Sequence, residues 1–183
     1  ILRESNAAEA RSNSLKNRLR SYLGRRASMI IANSKSGARY WADAGATNIE
    51  VIFNGYPDEV LSTGWKSSEK EKIVLCASRM QPHKRVDLSL RFFEQVFGPH
   101  PEWRFIVVGS GPESDRIDAL IESSPISNRI ERLNEVPQNH VFELMRRAEF
   151  ITNFSSHEGT PNVIIEALAH GCVPILSDTV SHR

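Results

Sequence analysis

Two carboxylates, Glu158 and Glu166, stand eight positions apart where a loop runs into a short apolar stretch. Before them, Phe150-Ile151-Thr152-Asn153-Phe154 has the β-branched and aromatic makeup of a buried strand. Gly159 and Pro161 break that strand, and Asn162 suits the N-cap of a helix. Val163, Ile164, Ala167 and Leu168 then follow helical spacing, and Gly171 fits the position just past the helix end. The first turn of such a helix offers free N–H groups and the positive end of its dipole, which suit a phosphate. The backbone through Gly159, Thr160, Pro161, Asn162 and Val163 is therefore a candidate phosphate seat. Two acids beside a bare anion would repel it. They make sense if they accept hydroxyls on either side of the phosphate, and a nucleotide sugar carries hydroxyls on both sides.

A second set of charges lies upstream. Residues 78–85 form a polar loop after the apolar run Ile73-Val74-Leu75-Cys76-Ala77, and this loop carries Arg79 and Lys84. Arg and Lys are the usual side-chain partners of a diphosphate. Gly109 and Gly111 follow another strand-like run, Trp103 to Val108, and invite a dinucleotide reading. That match is poor: Ser114 stands where a third small residue is expected, and Pro112 intrudes, so NAD and FAD are disfavoured. The two glycines suit close approach of backbone to a bound molecule instead. His157 adjoins Glu158 and could serve as an acid or base, or be a loop residue without chemical duty. No Asp-x-Asp metal signature is present, and no metal site is expected.

The elements that must position these groups alternate in type from Ile73 onward, which implies a parallel sheet with crossover helices. Val86, Leu90, Phe93 and Phe97 form one helix face, ended by Gly98-Pro99. Pro112 is expected at the first position of a helix that buries Ile117, Leu120 and Ile121. Arg129 to Leu133 reads as a weaker strand, 139–148 as a helix with Val141, Leu144, Met145 and Ala148 inward, and Val173 to Leu176 as a last strand. Sheets of this kind bind ligands at the carboxyl ends of their strands, so the loops of interest are 78–85, 109–112, 134–139 and 154–162. Upstream, 27–33 reads as a buried strand. Ser34 caps a helix that carries Ala38, Trp41 and Ala42 and stops at Gly45. Residues 49–53 form a short strand before an Asn54-Gly55 turn. The polar stretch 58–72 is the linker candidate.

The chain has 183 residues, 40% hydrophobic and 25% charged, with a net charge of +1. This is a globular composition without the basic excess of a general nucleic-acid binder. Cys76 and Cys172 make neither a metal spacing nor a disulfide framework, and read as buried thiols in a reducing compartment. No signal peptide and no membrane-spanning apolar run is evident. Residues 6–23 read as a helix with Leu15, Leu19, Tyr22 and Leu23 on one side. Basic residues fill 11–26 with no acid among them. That face suits an anionic membrane surface, solvent, or cover by another part of the protein. The first residue is Ile1 and the last strand lies at the end, so the chain is expected to be a fragment.

The stretch from Glu158 to Gly171 resembles the Glu, seven residues, Glu motif of retaining GT-B glycosyltransferases, in particular glycosyltransferase family 4. The flanking residues match too: Glu158-Gly159-x-Pro161, then Glu166-Ala167-Leu168-Ala169-x-Gly171, then Val173-Pro174-Ile175. The segment Ser78-Arg79-Met80-Gln81-Pro82-His83-Lys84 resembles the family's Arg and Lys pair on the donor diphosphate, and Arg85 and Asp87 fit its common form. Glu135-Val136-Pro137 is similar to the loop whose backbone meets the nucleotide base in relatives.

The resemblance implies a Rossmann-like α/β fold, a parallel sheet with helices on both faces, as the C-terminal half of a GT-B protein. Residues 1–57 would be the end of the N-terminal acceptor domain, 58–72 the linker, and 73–183 the donor domain, incomplete at its C-terminus. It implies a metal-independent hexosyltransferase without cofactor. That enzyme moves a sugar from a UDP- or GDP-sugar to a saccharide or lipid-linked acceptor in polysaccharide or glycoconjugate biosynthesis. By the resemblance Glu158 holds the sugar and Glu166 the ribose. The expected setting is cytoplasmic, with the inner face of the membrane as one option through basic residues 11–26, and this chain alone would bind nucleotide without turnover. A non-catalytic nucleotide-sugar binder and a GT-B sugar-nucleotide epimerase are the alternatives.

Overall fold

The computed structural model describes residues 2–4, 15–55, 70–158 and 161–179. The chain divides into two compact units. One is built on residues up to Gly55 together with the segment 157–161, the other on residues up to Ser156 and from Asn162 onward.

The first unit holds a parallel sheet in the order β1 (Leu2–Glu4), β2 (Ile30–Ala32), β3 (Ile49–Val51). Ile30 and Ala32 of the central strand are fully buried. Helix α1 spans Leu15–Arg26, and residues 6–14 of the expected helix lie outside the described residues. The expected strand at 27–33 narrows to three residues, and β1 was not anticipated. Ser34 caps α2 (Lys35–Asp43) by accepting the Gly37 N–H at 3.1 Å, and α2 buries Trp41. After Val51 the Ile52 N–H donates to the Ala32 carbonyl at 2.9 Å, and the expected Asn54-Gly55 turn runs into residues outside those described. On α1, Leu15, Leu19, Tyr22 and Leu23 are exposed, as are Arg18, Arg25 and Arg26.

The second unit is a five-stranded sheet, all parallel: β4 (Glu71–Ala77), β5 (Arg104–Val108), β6 (Ile130–Leu133), β7 (Ala148–Asn153) and β8 (Val173–Leu176). The spatial order is β6-β5-β4-β7-β8. Its helices are α3 (Val86–Phe97), α4 (Ser114–Glu122), α5 (Gln138–Arg147) and α6 (Asn162–Ala169). The central strands carry continuous apolar runs, Ile73–Ala77 in β4 and Phe105–Val108 in β5, because both faces are covered there. Ile73 and Leu75 point with Ile106 and Val108 to one face, where they meet Leu144 and Met145 of α5 and Ile164 and Ala167 of α6. Val74 and Cys76 point with Phe105 and Val107 to the other, against Val86, Leu90, Phe93 and Phe97 of α3 and Ile117 and Ile121 of α4. Helices thus cover both faces, as the fold class expected. Aromatic rings dominate the second layer: Phe93 stacks on Phe105 at 5.0 Å, and Phe97 meets Trp103 at 4.6 Å.

Several boundaries differ from the sequence reading: β5 starts at Arg104 and β6 at Ile130, each one residue later, and α5 at Gln138, one residue earlier. Glu71 and Lys72, expected in the linker, begin β4. Their charge is tolerated there because Glu71 takes ion pairs from Arg104 at 3.0 Å and Arg147 at 2.5 Å, and Lys72 pairs with Glu102 at 3.1 Å. Ala148, expected to close α5, instead opens β7, fully buried and paired across to Glu71. Pro112 is not the first helical residue. It lies in a turn before α4, because the Glu113 N–H is drawn across to the Met80 carbonyl at 3.0 Å. Among the described residues no helix is long and apolar enough to cross a membrane.

Candidate functional site

The strand order fixes where a ligand can enter the second unit. From β4 the chain moves outward through β5 to β6, then returns to the other side of β4 for β7 and β8. In such a sheet the crevice opens beyond the carboxyl ends of the two strands at which the direction reverses. Those strands are β4 and β7. The loop after β4 carries Arg79 and Lys84, and the loop after β7 leads toward Glu158 and α6.

The two loops are joined directly. The backbone N–H of Ser156 donates to the His83 carbonyl at 2.9 Å, and the Ser156 hydroxyl donates to the same oxygen at 3.4 Å. Pro82–Lys84 form a short 3-10 turn, and Arg85 after it adopts a left-handed backbone, φ 51°, ψ 46°. Among the described residues it is the one non-glycine with positive φ. A bulky residue held in that region marks a loop whose shape is imposed by its surroundings. Arg79 is exposed, and it makes no ion pair within the described residues. Lys84 is half-buried, and its charge reaches the buried Cys76 thiol at the end of β4; burial nevertheless pushes that thiol upward.

Gly109 and Gly111 shape the same loop from the next strand. Both have positive φ, 127° and 155°. A Cβ on Gly109 would run into the Ser78 carbonyl, and one on Gly111 would lie 2.5 Å from the Met80 carbonyl oxygen. Met80 N–H donates to the Ser110 carbonyl at 2.8 Å, which locks the backbone on either side of Arg79. The close approach that these glycines allow here is that of the chain's own 78–80 backbone.

Glu166 lies on α6 and is half-buried. Burial raises its pKa above the usual carboxylate range, and a hydrogen bond from Gln138 pulls it back. Gln138 Nε2 donates to Glu166 Oε1 at 3.3 Å. Asn162, expected as the cap, is the first residue of α6, and Val163 packs at the edge of the core. The stop at Gly171 is as expected. With φ 70°, its N–H reaches the Leu168 carbonyl at 3.0 Å, and the Cys172 N–H reaches that of Ala167 at 2.9 Å, the paired bonds of a Schellman ending. Val136 sits between β6 and α5 with its side chain against the core.

Glu158 is half-buried and His157 exposed, in the segment that groups with the first unit. Pro161 is half-buried. Gly159 and Thr160 lie outside the described residues.

Several residues at this edge were not anticipated from sequence. Ser156 and Gln138 act through partners 73 and 28 positions away, which no local pattern signals. Lys70, at the end of the expected linker, donates to the carbonyls of Met145 at 2.9 Å and His170 at 2.8 Å, so one ammonium binds the C-terminal regions of α5 and α6. Both thiols are buried, and Cys172 is pushed up to about 12 by desolvation. Among the described residues no cluster of His, Cys, Asp or Glu could hold a metal ion.

This is a doubly wound α/β sheet, with basic residues on one loop of its crevice and a carboxylate on the helix that follows the other. Residues 58–183 match the profile of the family described as glycosyl transferases group 1, and the chain belongs to that family. It is 31% identical over 118 residues to an exopolysaccharide phosphotransferase of Streptomyces coelicolor, covering 63% of this chain and 12% of that protein. It is 28% identical over 153 residues to the GDP-mannose:cellobiosyl-diphosphopolyprenol alpha-mannosyltransferase of Xanthomonas oryzae pv. oryzae, covering 81% of this chain and 40% of that protein. The crystal structure of HepE from Anabaena, in complex with UDP and glucose, superposes with a TM-score of 0.81 at 21% identity. That match covers 98% of this chain and 53% of the other, and at this identity it speaks for the fold. The chain thus spans well under half the length of these two curated relatives.

Proposed function

We propose that this chain is the donor-binding part of a retaining glycosyltransferase that moves a hexose from a UDP- or GDP-sugar to an acceptor hydroxyl, without a metal or cofactor. Arg79 and Lys84 receive the diphosphate and stabilise the charge that builds on it as the sugar departs. Glu158 holds the sugar. The backbone of Gly159, Thr160, Asn162 and Val163 faces the phosphate beside Pro161, which has no N–H to give. Glu166 accepts the ribose hydroxyls, Val136 offers its backbone to the base, and Gly109 and Gly111 admit the 78–80 backbone that carries Arg79.

The observation that carries this reading is the hydrogen bond joining the loop of Arg79 and Lys84 to the loop of β7 at the reversal point of the sheet. Two relatives support it by their names, one a transferase that uses GDP-mannose and one an exopolysaccharide phosphotransferase. A UDP complex of HepE supports a nucleotide in this fold. Residues 1–57 would then close an acceptor domain, 58–72 would link it to the donor domain from 73 onward, and the acceptor would be a saccharide or a lipid-linked one. The exposed Leu15, Leu19, Tyr22 and Leu23, with basic residues through 11–26, suit contact with the inner face of a membrane from a cytoplasmic position.

The test is calorimetric titration of the 183-residue chain with UDP- and GDP-sugars, repeated with Glu166→Ala. Binding without turnover is expected, and the substitution should weaken every nucleotide by roughly 1–3 kcal/mol. No binding of any nucleotide, or equal binding by the variant, would overturn the reading.

A further inference from the structure

Helices α5 and α6 touch in a repeating register. Gln138 meets Glu166, and four residues further along each helix Phe142 stacks on His170, ring centroids 4.9 Å apart at 22°. Residues four apart share a helix face, so these two contacts form one seam. Beyond it, Lys70 ties the Met145 and His170 carbonyls together. The roll of α6, and so the direction of Glu166, is fixed along this line. At the open end of the seam the fixing contact is the Gln138 amide, at the first turn of α5.

We propose that Gln138 is a positioning residue: its amide donates to Glu166 Oε1 and thereby turns the remaining carboxylate lone pairs outward, ready to accept a vicinal diol. This rests on the reading of Glu166 as the ribose acceptor. The bond's polarity is set by chemistry, since an ionised carboxylate only accepts and the NH2 side of the amide must face it. A neutral donor also serves where a cation would not. Lysine or arginine here would compete with the diol for the carboxylate as an ion pair, whereas an amide leaves the second oxygen uncommitted. The bond further favours the charged carboxylate against the burial that disfavours it. The other titratable groups on the seam are His170, one turn along α6, and Lys70 beyond it.

The experiment uses the 183-residue chain and two probes, the nucleoside diphosphate (UDP or GDP) that binds it more tightly and the 2′,3′-dideoxy form of the same nucleotide. Gln138→Met keeps the length and removes the donor, and Gln138→Ala is the second variant. Gln138 is exposed, so melting should be unchanged in both. The ribonucleotide should bind about 3- to 10-fold more weakly in each variant while the dideoxy form is unaffected. On acidification, ribonucleotide binding should be lost at a higher pH than in the wild type, because the carboxylate has lost a bond that favours its charged form. A wild-type chain that does not prefer the ribonucleotide would overturn the reading of Glu166 and this inference with it. A wild type that prefers it, with variants that keep the full preference and the same pH profile, would overturn the role of Gln138 alone.

Discussion

Gly111→Ala tests whether the Arg79 loop owes its shape to glycine. An alanine Cβ at 111 would lie 2.5 Å from the Met80 carbonyl oxygen, 2.9 Å from its carbon and 3.0 Å from its nitrogen. Ordinary carbon-to-oxygen contact is about 3.3 Å, so the strand end and the loop must part by roughly 0.8 Å. Met80 cannot yield freely. It is fully buried, its N–H is bound to Ser110 and its carbonyl to the Glu113 N–H. Moving it weakens those two backbone bonds, each worth about 1 kcal/mol. Forcing alanine to φ 155° adds about 1–3 kcal/mol, less about 0.5 kcal/mol from the stiffer unfolded chain. The net expectation is a loss of roughly 2–4 kcal/mol in urea unfolding. Arg79 precedes Met80, so nucleoside diphosphate affinity of the folded protein should also fall, by about 10-fold or more, as expected when a charged donor is displaced. Gly55→Ala is the control: a Cβ there meets nothing within 4 Å, and its stability should change by no more than about 0.5 kcal/mol. If Gly111→Ala unfolds at the control's midpoint with full affinity, glycine does not hold this loop.

Two further perturbations probe the frame behind the site. The Arg129 guanidinium donates to the carbonyls of Phe97, Gly98, His100 and Trp103, closing the end of α3; Arg129→Ala should cost roughly 2–3 kcal/mol in denaturant while leaving nucleotide affinity alone, and an unchanged midpoint refutes this. His170 is buried with Nδ1 at 2.7 Å from the Glu166 carbonyl oxygen, so its neutral form carries the proton on Nδ1, and burial holds its pKa below the usual histidine value. Its unfolded state therefore takes up a proton first: the stability is fully present above about pH 6.5 and declines as pH falls from there toward the folded pKa. The melting temperature of the wild type should drop more steeply between pH 7.5 and 5 than that of His170→Asn, and parallel slopes would contradict this.

What could be read from the chain divides along physical lines. Strand β8 has the bounds that its apolar run suggests, and Val86, Leu90, Phe93 and Phe97 are all buried on one face of α3, because burial and period are local signals. Gly171 was legible for the same reason: a left-handed helix ending prefers glycine. Glu71 was not, since an acid opens β4 only by virtue of Arg104 and Arg147, which come from 33 and 76 positions away. Ala148 fits a helix or a strand equally by type, and only its pairing across to Glu71 decides. Pro112 was misplaced because the bond from Glu113 to Met80 crosses between two loops. Of the candidate site, the residue types were visible, while the parts that aim them (Ser156 on His83, Gln138 on Glu166) depend on contacts made after folding.

Ion pairs stand at both edges of the parallel sheet, at the carboxyl edge between Arg116 and both Asp87 and Glu113, and among the described residues Arg79 is left out of them. At the amino edge, acids and bases neutralise each other: Glu71 with Arg104 and Arg147, Lys72 with Glu102. The same chain could have placed an acid beside Arg79 at the carboxyl edge. Instead Arg79 is exposed, with no ion pair among the described residues, on a loop held by two positive-φ glycines and followed by a left-handed Arg85. A left-handed non-glycine costs on the order of 1 kcal/mol or more. The tight turn seats Met80, fully buried, in the core layer beneath α3 and α4. The turn also brings the His83 carbonyl to Ser156 and the 78–80 backbone against Gly109 and Gly111. Packing thus accounts for the tight turn through Met80, while the exposed Arg79 that the turn carries is the group on which the function proposed above draws.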